Sequence, residues 1–241
     1  MTRPAVIITG GAKRVGAATA LYFAQKNFDI ALHYNSSESE AQSLQQQIRK
    51  IGVACEIFAH DLKDISGIKS LMENIHSAMP HCNTLINNAS IFERCEFLET
   101  TEELLDRQFA VNFKAPFFLT QSFAKIFGNT PGASVINILD TDIAQNQISH
   151  FAYLLSKKTL ADFTKMAAIA LGKNIRVNGV CPGSMLPSTE NCSAYEIKTK
   201  ELVPLKLQPG LNDLSEAIYW LTQQKSITGQ IINVDGGKHV L

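Results

Sequence analysis

Residues 5–25 read AVIITGGAKRVGAATALYFAQ. Four apolar residues run into Thr9, glycines follow at 10, 11 and 16, and from Val15 to Gln25 apolar residues return at helical spacing. An apolar run this short, stopped by glycine, is a strand feeding a helix through a tight turn. Gly10, Gly11 and Gly16 permit that turn. They also let a pyrophosphate come close to the backbone N–H groups of a helix N-terminus. The alternation repeats outward. DIALHY (29–34) precedes the helical SEAQSLQQQIRKI (39–51), and VACEIFA (53–59) precedes DISGIKSLMENIHSAM (64–79). TLINNA (84–89), SVINIL (134–139), IRVNGV (175–180) and QIINV (230–234) complete seven candidate strands. Short, almost wholly apolar strands separated by helices predict a parallel sheet covered on both faces, because parallel neighbours need crossover helices. The fold class is therefore α/β: one Rossmann-type, doubly wound domain over residues 1–241. Residues 184–210, SMLPSTENCSAYEIKTKELVPLKLQPG, show no period and are expected to form a substrate lid with a short helix of its own.

Composition excludes several classes. With 22 basic and 22 acidic residues there is no charge surplus to hold nucleic acid or an anionic membrane. No apolar run is long enough to span a bilayer, and MTRPAVIITGG lacks the apolar core of a signal peptide. The five cysteines are odd in number and lack CxxC spacing, so they are expected as reduced thiols in a cytoplasmic protein. The six histidines show no ligand spacing, so no metal is expected.

Two features sharpen the glycine turn. Lys13 and Arg14 place cations beside the expected phosphates. The second strand ends in Asn35, Ser36 and Ser37, with no carboxylate to hold a ribose hydroxyl. Both favour NADPH over NADH, since donors and cations suit a 2′-phosphate. A second constellation follows later. Tyr153 and Lys157 lie one helical turn apart, so an ammonium beside a phenol is expected to lower the phenol's pKa and fit it for proton transfer. Asp140 stands thirteen residues before the tyrosine, at the end of an apolar strand. It is either a partner in that transfer or a cap on the strand end.

These pieces in this order resemble the short-chain dehydrogenase/reductases over nearly the whole chain: Thr9–Gly16, Asp61, Asn87–Ala89, Asn112, Tyr153, Lys157, Pro182–Gly183 and ITGQIINVDGG. The resemblance implies that the tyrosine exchanges a proton, the lysine binds the nicotinamide ribose and Asn112 holds a relay water. It also implies a cofactor lying along Gly10, Val15, Asp61, Leu62, Asn88, Ala89, Pro182, Gly183 and Ser184, and a homotetramer. Two departures stand out. Asp140 takes the place of the family's serine, and Arg14 that of the turn's middle glycine. Both are similar to the pteridine reductase branch, as are TGGAKRVG, LHYNSSESEA, NNASIF and VNFKAPFFL. That branch implies an arginine reaching cofactor phosphate and pterin (Arg14), a serine touching both ligands (Ser90) and an aromatic stacked on the pterin (Phe92). Ser36 stands where protozoan members carry an arginine for the 2′-phosphate.

The acid suits such a substrate. A dihydropterin presents a C=N bond in a hydrogen-bonding heterocycle whose ring nitrogen needs a proton, whereas a ketone is served by a neutral hydroxyl. The expected activity is NADPH-dependent reduction of a dihydropterin or dihydrofolate, with Asp140, Tyr153, Lys157 and Asn112 as the catalytic set. The alternatives are a ketone reductase, such as one acting on a 3-oxoacyl carrier-protein thioester, and a non-catalytic NADP(H) sensor.

Overall fold

The structure is a computed structural model that describes residues 3–146, 148–185 and 203–241. The middle of the expected lid and Cys192 lie outside them. All seven expected strands form: β1 (Ala5–Ile8), β2 (Asp29–Tyr34), β3 (Cys55–Ala59), β4 (Cys82–Asn87), β5 (Ser134–Ile138), β6 (Arg176–Pro182) and β7 (Ile231–Val234). They make one parallel sheet in the order β3-β2-β1-β4-β5-β6-β7. The order reverses between β1 and β4, and the crevice opened there at the strand C-termini is where ligands bind in such sheets.

Period-two alternation explains the two cores. In β1, Val6 and Ile8 enter one apolar cluster and Ala5 and Ile7 the other. Helices α1 (Arg14–Gln25), α2 (Glu38–Ile51) and α7 (Leu211–Gln223) cover the first face through Phe23, Ile48 and Ile218. Helices α3 (Ile68–Ala78), α5 (Ala115–Phe127) and α6 (Phe151–Leu171) cover the second through Met72, Phe123 and Ala167. Phe123 is wholly buried and stacks on Phe127 at 5.3 Å, so Phe123→Ala would cost about 3–5 kcal/mol. Helix α4 (Glu102–Phe109) starts at Thr101, whose Oγ1 accepts from Leu104 N.

Two local departures have clear causes. The helical pattern from residue 64 starts late, at Ile68, because the Asp64 carboxylate takes the N–H groups of Ser66 and Gly67 and holds a turn there. Between α4 and α5 the chain widens into a π turn, Ala110–Lys114, which carries Asn112. Among the described residues no helix is long and apolar enough to cross a membrane.

Candidate active site

A cavity of about 970 Å³ opens over the crevice. Every residue expected to touch cofactor or substrate lines it, from Asn35 at one end to Tyr153 at the other. Asn112, of the expected catalytic set, lies behind the wall, wholly buried. Its Oδ1 accepts from Ser90 Oγ (3.0 Å) and Ile91 N (2.9 Å), and its Nδ2 donates to Ile91 O (3.0 Å) and Ser156 Oγ (3.1 Å). The side chain thus fastens the segment after β4 to α6.

The glycine turn is built to leave room. A Cβ on Gly16 would come within 2.3 Å of Gly10 O and 2.8 Å of Asn88 Nδ2. Gly10 adopts φ +59°. Asn88 clamps the turn by donating from Nδ2 to Thr9 O (2.9 Å) and Gly10 O (3.0 Å). From below, Gly10 N donates to His33 Nδ1 (3.1 Å), and His33 Nε2 lies 2.9 Å from His60 O. A carbonyl only accepts, so His33 is the neutral tautomer with its proton on Nε2. Burial pushes its pKa down to about 4. Nothing in LHY marked His33 for this task; its role depends on β2 ending beside the turn.

Arg14 takes φ +50°, a left-handed conformation that costs a non-glycine residue about 1–2 kcal/mol. Such strain persists where surrounding structure imposes it, commonly at ligand sites. Among the described residues Lys13, Lys63, Arg107 and Lys238 each pair with a carboxylate, and Lys157 donates to Ile138 O. Of the cleft's lysines and arginines, Arg14 alone has no such partner there. Lys13 lines the cleft as expected, and its ammonium also lies 2.6 Å from Glu40 Oε1. A cradle without Cβ atoms, at a helix N-terminus and beside an unpaired guanidinium, fits a dinucleotide phosphate.

At the other end, the Tyr153 hydroxyl donates to Asp140 Oδ2 at 2.7 Å, while Asp140 Oδ1 accepts from Asp142 N at 2.8 Å. The carboxylate therefore caps the 3-10 turn Thr141–Ala144 and engages the phenol at once. Burial raises the Asp140 pKa above the usual carboxylate value. Burial, and then the Asp140 charge, also hold the Tyr153 phenol well above its ordinary value. This reverses the expectation that Lys157 would lower it. Lys157 is itself desolvated and pushed down to about 8 by burial; it donates to Ile138 O at 2.8 Å, and its ammonium stands 5.8 Å from the Tyr153 ring centre.

Phe92 is 59% exposed, its edge against Tyr153 (4.7 Å, 86°) and its face on His150 (4.1 Å, 14°). The sequence reading missed His150. The signal was its place three residues before Tyr153, on the same side of the helix start. Its Nδ1 meets Ser149 Oγ at 3.1 Å, and among the described residues its Nε2 has no partner.

Below this end of the cleft, the C-terminus fastens the Asp140 turn. Buried Asp235 accepts from Thr141 Oγ1, His239 N (2.8 Å) and Gly237 N (2.9 Å), and Lys238 pairs with Asp142 at 2.6 Å. DGG at 235–237 is thus a structural turn.

The family model described as short chain dehydrogenase matches residues 4–196. A crystal structure of FolM alternative dihydrofolate reductase 1 from Brucella suis in complex with NADP superposes with a TM-score of 0.91. It is 31% identical, covering 99% of this chain and 96% of that one. Pteridine reductase 1 of Leishmania tarentolae is 27% identical over 98% of this chain and 96% of its own. The 3-oxoacyl-(acyl-carrier-protein) reductase FabG of Staphylococcus epidermidis is 26% identical over 97% and 98%.

Proposed function

The chain belongs to the short chain dehydrogenase family, and we propose that it is an NADPH-dependent oxidoreductase that reduces a dihydropterin to the tetrahydro form. One observation carries the substrate class: the proton-bearing phenol is hydrogen-bonded to a partly buried carboxyl, Tyr153 to Asp140 at 2.7 Å. A ketone oxygen needs only a neutral donor. A ring C=N, with amidine-like nitrogens around it, is matched by a carboxyl that can accept, donate and carry charge. The relatives named for pteridine and dihydrofolate reduction support this reading.

Bound NADPH supplies the hydride, and the chain supplies binding and the proton. The glycine turn and Arg14 hold the phosphates. Asn112 keeps Ser90 facing the cleft through its hydrogen bond. Phe92 offers a flat exposed face to a flat ring. Tyr153, held above its ordinary pKa, keeps its proton at neutral pH and hands it to the ring nitrogen as the hydride adds to the neighbouring carbon. Asp140, whose own affinity for protons is raised, would take a proton from solvent and pass it to the phenolate. The Lys157 ammonium balances the negative charge left on that pair. A tetramer belongs to the same proposal: Met166 and Ile169 stand 69% and 87% exposed on α6, surface that subunit contact would cover.

The test is NADPH oxidation with dihydrobiopterin, dihydromonapterin, dihydrofolate and an acetoacetyl thioester in parallel. Turnover of a dihydropterin with little on the thioester is expected. Turnover of the thioester alone would move the enzyme to the ketone reductases, the reading that the 3-oxoacyl relative favours.

A further inference from the structure

The Lys13–Glu40 pair bridges the glycine turn to the first turn of α2, with both side chains about half exposed. Glu40 is the third residue after Ser37, the N-cap of α2. From that position a carboxylate ordinarily reaches back to the N-cap N–H and closes a capping box. Here no such box forms, and Ser37 makes no side-chain cap bond. Glu40 instead accepts from Ser39 Oγ with Oε2 (2.9 Å) and meets the Lys13 ammonium with Oε1 (2.6 Å). The hydrogen bond from Lys13 is the main cause that holds the Glu40 carboxyl down at about 2, so the carboxylate is ionised at neutral pH.

Lys13 lines the cleft together with Asn35, Ser36 and Ser37, the donors at the end of β2. These are the groups a 2′-phosphate would meet, and the lysine is the cation among them. That cation is paired with a carboxylate on the neighbouring helix. We propose that Glu40 is a cofactor-discriminating residue: it pairs with Lys13, yields it to the 2′-phosphate of NADPH, and so limits the preference for NADPH over NADH. A cofactor without that phosphate leaves the pair intact and is indifferent to Glu40. One with it must part the pair and then sit near a freed carboxylate. Glu40 thus moderates the affinity that the Lys13, Asn35, Ser36 and Ser37 cluster would otherwise give. The inference rests on the NADPH reading of the cleft and not on the identity of the substrate.

The experiment is calorimetric titration of the intact protein with NADP+ and with NAD+, needing no turnover. Glu40→Gln keeps the shape and a capping side chain but removes the charge. It should bind NADP+ roughly fivefold more tightly at low salt, the scale of an exposed ion pair, with NAD+ unchanged. At about 1 M salt, where charges farther apart than about 3 Å are screened, the gain should fall towards none. Glu40→Ala should reproduce it, which separates charge from capping. Lys13→Met should weaken NADP+ alone, and in that background Glu40→Gln should gain less than about twofold, because the competition runs through Lys13. An equal effect on both cofactors, weaker NADP+ binding in Glu40→Gln, or a full gain without Lys13 would each overturn the proposal. Equal affinity of the unaltered protein for NADP+ and NAD+ would instead remove the NADPH reading, and the proposal with it. Both residues are exposed, and matched melting curves show that each variant is folded.

Discussion

Replacing Asp140 by Asn separates what the carboxyl does for chemistry from what it does for the fold. The amide oxygen can still accept from Asp142 N, so the 3-10 turn keeps its cap. The NH₂ then faces Tyr153, and a hydroxyl that donated at 2.7 Å must accept instead. The proton can no longer pass through this residue, and turnover of a dihydropterin should fall about 10²–10⁴-fold, the usual contribution of a positioned acid or base. Stability should not fall with it. A hydrogen bond to a charged group is worth about 1.5–3 kcal/mol, but burial opposes the charge, and the raised pKa of Asp140 says that burial wins. A carboxyl with a folded pKa above its unfolded value supports the fold fully at low pH. It loses that support as pH rises from about 4 through the folded value. The wild type should therefore lose ground to Asp140→Asn over that window and melt no higher than the variant at neutral pH. The assays are NADPH oxidation and thermal melts across that pH range. More than about a tenth of wild-type turnover with a dihydropterin would refute the proton path. A neutral-pH Tm lower by more than about 4 °C, on the order of 1 kcal/mol or more for a chain this size, would refute the burial argument.

Arg14→Gly relieves a left-handed backbone and should leave the melting point equal or a few degrees higher; NADP+ binding by calorimetry should weaken about tenfold or more as the charged contact goes. In the wild type, neutral His33 favours the fold above its unfolded pKa. Acidification from 6.5 towards about 4 should therefore cost the fold about 3 kcal/mol through this residue. His33→Phe should flatten that dependence in urea titrations, while losing about 1–3 kcal/mol at neutral pH because Gly10 N–H is orphaned. His150→Ala removes the ring stacked on Phe92 and should raise the dihydropterin KM several-fold with the NADP+ Kd unchanged, whereas a changed Kd would place His150 on the cofactor side.

The inner strands were legible because they are buried on both faces and so are written as short apolar runs, while β3 and β7, at the sheet edges, are only partly buried. The sequence also carried the turn glycines and the Asp140, Tyr153 and Lys157 set, since chemistry demands particular residue types there. Balances between opposing effects were not legible. Whether Lys157 or burial governs the Tyr153 phenol depends on how deep the ring lies, which spacing does not record. The pairing of Lys13 with Glu40 was not legible, because the two are brought together only by the path of β2 and α2. The π turn around Asn112 follows from packing between α4 and α6 rather than from any local preference. His33 became visible only once β2 brought it beside the glycine turn.

The tether between Asp235 and the Asp140 turn joins the middle of the chain to its last residues. During synthesis, the glycine turn and β1 to β6 can assemble before Asp235, Lys238 and His239 have been made. A nascent chain therefore gains its nucleotide cradle earlier than an aligned acid. The same tether makes residues 235–239 a remote handle on catalysis: loosening their hold on Thr141 and Asp142 loosens the anchorage of Asp140 while leaving the cradle at the other end of the cleft untouched.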